Sequence, residues 1–61
     1  MNLREFNFKG EKVFVNADLV KYCLGSAFDS SITFIYFDEA DRIQVDSSLD
    51  DTYYTLTGYS R

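Results

Sequence analysis

Carboxylates are the groups in this sequence most able to take part in chemistry, and most of them lie in its second half. Residues 1–28 carry four basic and three acidic side chains, whereas residues 29–61 carry two basic and seven acidic side chains. The chain has no histidine and one cysteine, Cys23. Paired carboxylates can act as a general acid and base or bind a hard cation such as Mg²⁺ or Ca²⁺. The spacing of the acidic residues decides which of these chemistries is open to the chain.

Residues 33–41 place acidic side chains directly after an apolar run, TFIYFDEAD. This pattern resembles the Walker B strand and acidic box of DEAD-type helicases, in which carboxylates after an apolar strand handle magnesium and water. The resemblance covers nine residues, and the glycine-rich phosphate loop that must accompany it is missing. A chain of 61 residues is also too short for the parallel sheet that this mechanism needs. The segment is therefore predicted to be a solvated acidic hairpin loop.

The other carboxylates give no clearer chemistry. Residues 46–51, DSSLDD, have the oxygen density of a calcium loop but lack the glycine and glutamate that an EF-hand places at its sixth and twelfth positions. Cys23 has no imidazole partner and is predicted to be a small core residue in a reducing compartment. The sequence therefore predicts no catalytic residue, no metal site and no cofactor, and we expect the chain not to be an enzyme.

Two hairpins are predicted to position these residues. An alternating apolar pattern around a turn at residues 10–11 predicts a first hairpin that pairs Phe8 with Val13 and Phe6 with Val15. All four side chains then share one face of the sheet.

The second hairpin is predicted over residues 31–46. Closing it over the polar residues 38–41 pairs Tyr36 with Ile43 and Phe34 with Val45, whereas a two-residue turn would set Asp38 against Asp41, a like-charge pair.

A short helix is predicted between the hairpins and a strand after them. Asn16 offers an N-cap for a helix over residues 17–24, and Gly25 offers its stop. Such a short helix must lie on the sheet, because eight residues cannot hold a helix alone in water. Residues 52–59 have the threonine and tyrosine content of a strand. The chain is thus predicted to be a single α+β domain, residues 1–61, with an antiparallel sheet of four to five strands and one helix on one face.

This arrangement leaves a surplus of large apolar side chains. The alternation points Phe14, Ile35 and Phe37 away from the helix, and leaving three such side chains in water forgoes about 5 kcal/mol. Three interpretations stay open. Either the sheet curls or the C-terminal segment folds across it, or the face is a homodimer or partner interface, or these are scattered apolar side chains that stay exposed. The residues predicted for such an interface are Phe14, Ile35, Phe37, Tyr53, Tyr54 and Tyr59.

Size and charge together favour a small protein that docks onto a larger one. We expect an inhibitor or modulator whose carboxylates meet a basic surface, for example on a nucleic-acid-handling protein, as phage anti-host factors and antitoxins do. The acidic residues predicted to meet the partner are Asp38, Glu39, Asp41, Asp46, Asp50 and Asp51. Alternatively, these charges only maintain solubility.

Two other functions remain open from the sequence. The first is a homodimeric structural or adaptor module. The second is a single-stranded nucleic-acid platform of Tyr53, Tyr54, Tyr59 and Phe37, although the acidity of this half of the chain disfavours direct nucleic-acid binding. The N-terminus has no apolar run long enough for a signal peptide or a membrane span. We therefore expect a cytoplasmic protein without membrane contact, in the host cytoplasm if a phage encodes it.

Overall fold

The computed structural model describes residues 2–58, which form two small antiparallel sheets and one α-helix. The first sheet has the strand order β1-β2 and the second has the order β3-β4-β5. The chain is therefore α+β, as predicted, but its strands form two sheets instead of one. The elements are β1 (Leu3–Phe8), β2 (Glu11–Asn16), a 3-10 turn (Ala17–Leu19), β3 (Tyr22–Gly25), β4 (Thr33–Asp38), β5 (Asp41–Val45) and α1 (Leu49–Thr57).

The first hairpin turns at Lys9 and Gly10, one residue earlier than predicted. Both residues have positive φ, 50° for Lys9 and 82° for Gly10, as a type I′ turn requires. Phe6 consequently lies opposite Val13 and not opposite Val15, so the predicted pairs are wrong. The register differs by two residues, and for that reason the predicted side chains still share one face.

The predicted helix over residues 17–24 is wrong. The side chain of Asn16 does accept a hydrogen bond from the Asp18 N–H at 3.1 Å, but it caps only the 3-10 turn. The chain then enters β3, which pairs Cys23 with Ile35 of β4. A helix this short gains few hydrogen bonds of its own, whereas β3 gains a ladder with β4.

The predicted strand over residues 52–59 is also wrong, because α1 occupies most of this segment. Ser48 is its N-cap, with the side-chain Oγ accepting a hydrogen bond from the Asp51 N–H at 3.2 Å. Gly58 ends the helix at φ 77°. Both cap signals are typical of helix ends, and they outweigh the strand preference of the Thr and Tyr residues between them.

The second hairpin has the tight turn that like-charge repulsion was expected to exclude. Asp38 lies opposite Asp41, and an irregularity between Tyr36 and Asp38 shifts the register of the rest of the ladder by one residue. Ile35 therefore lies opposite Ile43 and Thr33 opposite Val45, so both predicted pairs, Tyr36 with Ile43 and Phe34 with Val45, are wrong. Because of this one-residue shift, Thr33 and Ile35 share a face with Ile43 and Val45, where Phe34 and Tyr36 were predicted to lie. The side chain of Ile35 therefore points into the core.

The core lies where the two sheets meet. Phe6 and Val15 from the first sheet pack with Ile35 and Val45 from the second, and each of the four is at most 4% exposed. Half-buried apolar side chains pack around this cluster, among them Leu56 of α1. Among residues 2–58 no helix has the length and apolar character of a membrane span.

Asp46, directly after β5, connects the two sheets through two hydrogen bonds. Its backbone N–H donates to the carbonyl oxygen of Asn7 at 2.7 Å. Its carboxylate Oδ2 accepts from the backbone N–H of Lys9, also at 2.7 Å. The second bond holds the first residue of the β1–β2 turn, which explains in part why the turn lies at Lys9 and Gly10.

The burial of Ile35 predicts a large cost on truncation. We expect Ile35→Ala to lower the free energy of unfolding by about 2–5 kcal/mol, because it leaves a cavity where the sheets meet. Leu24→Ala removes a similar side chain that is 50% exposed, and the expected loss is about 0.5 kcal/mol. Urea denaturation followed by circular dichroism measures both. Equal losses for the two variants would contradict the inward orientation of Ile35.

Candidate functional site

An open apolar groove lies between β2 and the tip of the β4–β5 hairpin. Its volume is about 400 Å³. Phe14 on β2 and Leu19 in the 3-10 turn are 60% and 63% exposed, so the groove presents large apolar side chains to solvent. We call this feature the β2 groove. The residues that line it include Val13, Phe14, Leu19, Phe37, Asp41 and Ile43.

The turn between β4 and β5 places three exposed carboxylates beside this groove. We call residues 38–41 the acidic turn, and Asp41 belongs both to it and to the lining of the β2 groove. Asp38 is partly neutralised, since the Lys21 Nζ lies 3.5 Å from its Oδ1. The side chains of Glu39 and Asp41 make no ion pair or hydrogen bond within residues 2–58. Their charge is therefore available to a partner.

The other three predicted acidic residues lie at the opposite end of β5. Asp46 accepts a hydrogen bond from the first hairpin. Asp50 and Asp51 occupy the first turn of α1, where their negative charges interact favourably with the positive end of the helix dipole. The five residues of β5 span about 16 Å at roughly 3.3 Å per residue. The six carboxylates thus form two separate groups and not one row, and only the group at the acidic turn adjoins an apolar groove.

The predicted interface residues on the strands differ in their exposure to solvent. Phe14 is 60% exposed, so its predicted outward orientation is confirmed. Ile35 is 0% exposed, so its predicted outward orientation is wrong, for the register reason given above. Phe37 is half-buried against the core and lines the β2 groove. The strands therefore bring Phe14 and Phe37 together at the groove and remove Ile35 from any interface.

The tyrosines predicted for an interface or a platform lie on the helix. Tyr53 and Tyr54 are in α1, with ring centroids 5.4 Å apart in an edge-to-face arrangement. Tyr53 is 49% exposed. Tyr59 lies outside the described residues. Phe37 belongs to β4 and lines the β2 groove, whereas the groove lining includes neither Tyr53 nor Tyr54.

A second aromatic surface was missed by the sequence reasoning. On the side of the β3-β4-β5 sheet away from the core, Tyr22 stacks on Tyr36 with ring centroids 4.6 Å apart and planes 13° apart. Arg42 places its Cζ 4.9 Å from the centroid of Phe34, and its Nη1 donates to the Tyr36 hydroxyl at 2.9 Å. We call this the outer face. Its residues are Tyr22, Leu24, Phe34, Tyr36 and Arg42.

The sequence signal for the outer face was the spacing of large side chains at every second position along two strands. Tyr22 and Leu24 are two residues apart, as are Phe34 and Tyr36, and the pairs lie opposite each other in the β3–β4 ladder. Because Tyr22 and Leu24 were predicted in a helix and Phe34 and Tyr36 on the core face, the pairing of the two strands could not be predicted from the sequence.

Cys23 points to the core side of β3, opposite Ile35. Burial raises the pKa of the Cys23 thiol, which lowers the fraction of reactive thiolate at neutral pH. Among residues 2–58 no group of three or more Cys, His, Asp or Glu side chains is arranged to hold a metal ion. The candidate chemistry of the described surface is therefore that of apolar, aromatic and carboxylate contacts.

The raised pKa predicts slow alkylation of the folded protein. At neutral pH we expect Cys23 to react with iodoacetamide more slowly in the native state than in urea, where the thiol regains its ordinary pKa and full access. Mass spectrometry of the time course measures the two rates, and Cys23→Ser serves as the blank. A native rate equal to or above the denatured rate would contradict the partial burial of this thiol.

The β2 groove with the acidic turn and the outer face are thus the two surfaces on which a function can be argued. No protein-family model matches the chain, and neither a curated protein nor a solved structure is significantly similar to it. The function must therefore be argued from the chemistry of these two surfaces.

Proposed function

We propose that this chain is a non-enzymatic protein-binding module that docks onto a basic surface of a larger protein and inhibits or modulates it. The observation that carries the proposal is the juxtaposition of the β2 groove and the acidic turn, with Asp41 belonging to both. A patch of large apolar side chains rimmed by charge is typical of protein interfaces.

The apolar part of this surface supplies the affinity. Phe14 and Leu19 are each about three-fifths exposed, and fully burying a side chain of this size is worth about 1.5–3 kcal/mol. Such anchors near the centre of an interface tend to dominate its binding energy. A partner that covers the β2 groove would therefore gain most from these two side chains.

The charge of the acidic turn determines which partners can bind. Two of its carboxylates, on Glu39 and Asp41, have no partner among residues 2–58. Carboxylates on a turn attract basic surfaces over long range and repel acidic ones, which speeds the correct encounter. A cleft that normally holds a phosphate backbone fits this description, and on that ground we propose a cytoplasmic modulator of a nucleic-acid-handling protein, such as a phage anti-host factor or an antitoxin.

Capture from a bacterial lysate tests this function. The wild-type chain, immobilised through its N-terminus, is expected to retain a partner that elutes as the salt concentration rises. In the double variant Glu39→Gln with Asp41→Asn, retention is expected to fall about tenfold, because charge is lost at the interface. The matched control is Asp29→Asn with Asp50→Asn, which removes two carboxylate charges outside the acidic turn and the β2 groove and should retain the partner.

Two outcomes would contradict the proposal. One is retention that does not respond to salt. The other is an equal loss of retention in both double variants, since the acidic turn would then have no special role.

The outer face supports a second candidate function, the binding of single-stranded nucleic acid. Stacked Tyr22 and Tyr36 beside an arginine that lies over Phe34 are the groups on which bases stack in sheet-based RNA-binding domains. Arg42 is the basic residue of this face, while the whole chain has a net charge of −4. Because phosphate contacts dominate such affinities, the charge balance weighs toward a protein partner.

Fluorescence anisotropy with labelled oligodeoxythymidine and oligouridine separates the two candidates. We expect no saturable binding at micromolar protein, because the carboxylates repel the phosphates. Saturable binding that Tyr36→Ala abolishes, and that Tyr53→Ala leaves unchanged, would instead favour the second candidate and place the nucleic acid on the outer face.

A further inference from the structure

β2 is an edge strand whose residues line the β2 groove. Within residues 2–58 it pairs only with β1. Along an antiparallel strand, successive residues direct their backbone N–H and C=O groups alternately toward and away from the partner strand. Phe8 and Glu11 flank the two-residue turn and form a hydrogen-bonded pair, so Glu11 and Val13 direct these groups toward β1. The N–H and C=O groups of Lys12 and Phe14 therefore point away from β1. In this part of the chain no other backbone hydrogen bond engages these two residues.

The side chains of the groove suit a strand added at this edge. Phe37 and Ile43 are half-buried and pack against the core, so they form an apolar floor. Phe14 lies on the opposite side of β2 and is exposed. An extended segment beside β2 would direct alternate side chains onto the floor and the others toward Phe14. The groove volume of about 400 Å³ lies in the lower part of the range of ligand pockets, about 300–1,000 Å³.

The charges around the groove select the occupant. The Asp41 carboxylate lines the groove without an ion pair among the described residues, and Glu39 lies two positions before it. Lys12, the basic residue of β2, lies 3.9 Å from Glu5 through its Nζ. A second copy of this chain would bring an identical acidic turn and another net charge of −4. Charge complementarity therefore favours a segment that carries lysine or arginine.

We propose that the β2 groove binds an extended segment of a partner protein as an added β-strand. Alternate apolar side chains of that segment lie on Phe37 and Ile43, and a lysine or arginine meets Asp41. This inference rests on the proposed function and specifies how the partner is held.

Selection from a library of random peptides displayed on phage tests the inference, with the immobilised full chain as bait. Enriched peptides are expected to alternate apolar residues and to carry a lysine or arginine. Their synthetic, fluorescent forms should lose about tenfold in affinity with Phe14→Thr and with Asp41→Asn. The matched controls are Phe28→Thr, which changes a fully exposed phenylalanine outside the groove, and Asp50→Asn. Both should bind as the wild type does.

Backbone methylation of the peptide tests strand addition directly. Methyl groups on alternate amides remove donors to β2 and leave the side chains intact, so methylation in one register should abolish binding and in the other should not. Circular dichroism verifies that each protein variant is folded.

Several outcomes would overturn the inference. They are no enrichment of peptides, enriched peptides that bind Phe14→Thr and Asp41→Asn as well as wild type, or indifference to methylation in both registers. A dimer in light scattering that Phe14→Thr dissociates would also overturn it, since a second copy would then occupy the groove. Salt-sensitive capture that depends on Glu39 and Asp41 can survive each of these results, so the proposed function and this inference fail separately.

Discussion

The contact between two small sheets is the constraint on which the rest of this structure depends. Phe6 and Val15 from one sheet meet Ile35 and Val45 from the other, and these are the buried apolar side chains of the core among residues 2–58. A chain of this length can bury only about 60% of the surface that it exposes when unfolded. The interior is therefore filled by a few side chains, and the remaining large apolar residues must lie at its margin or on the surface.

Those remaining residues are not scattered evenly. Between β2 and the β4–β5 hairpin, the half-buried Phe37 and Ile43 line the open β2 groove. On the outside of the second sheet, aromatic rings cover one another and Arg42 covers Phe34, which reduces the apolar area in contact with water. Tyr22 and Leu24 of the outer face nevertheless remain 42% and 50% exposed. The groove differs because Asp41, a carboxylate without an ion pair among the described residues, lines it together with the exposed Phe14 and Leu19. This difference is why we argue the function from the groove.

The sequence was sufficient to predict four strands, the α+β class and the exposure of Phe14, because alternation over five or six residues is a strong local signal. It was not sufficient to predict the face of Ile35, since the irregularity before Asp38 shifts the register without a marker in the sequence. β3 depends on pairing with β4, which begins eight positions after β3 ends, and the gain from this pairing is not visible in local preferences. The caps of α1 at Ser48 and Gly58 were visible, and the threonine and tyrosine content was wrongly given more weight. Phe14 and Asp41 were both predicted as interface residues, but the groove that unites them required the folded arrangement.

The open edge of β2 also has a consequence for the protein when it is alone. A strand with one open edge and no proline is a template to which a strand of another molecule can add, and such addition can begin aggregation. Like charge between molecules opposes such growth, and here that charge comes from carboxylates. The net charge vanishes at the isoelectric point of about 4.4, where this repulsion is weakest and the edge stays in place. The colloidal behaviour of the protein is thereby tied to the same acidic side chains that we propose direct its recognition.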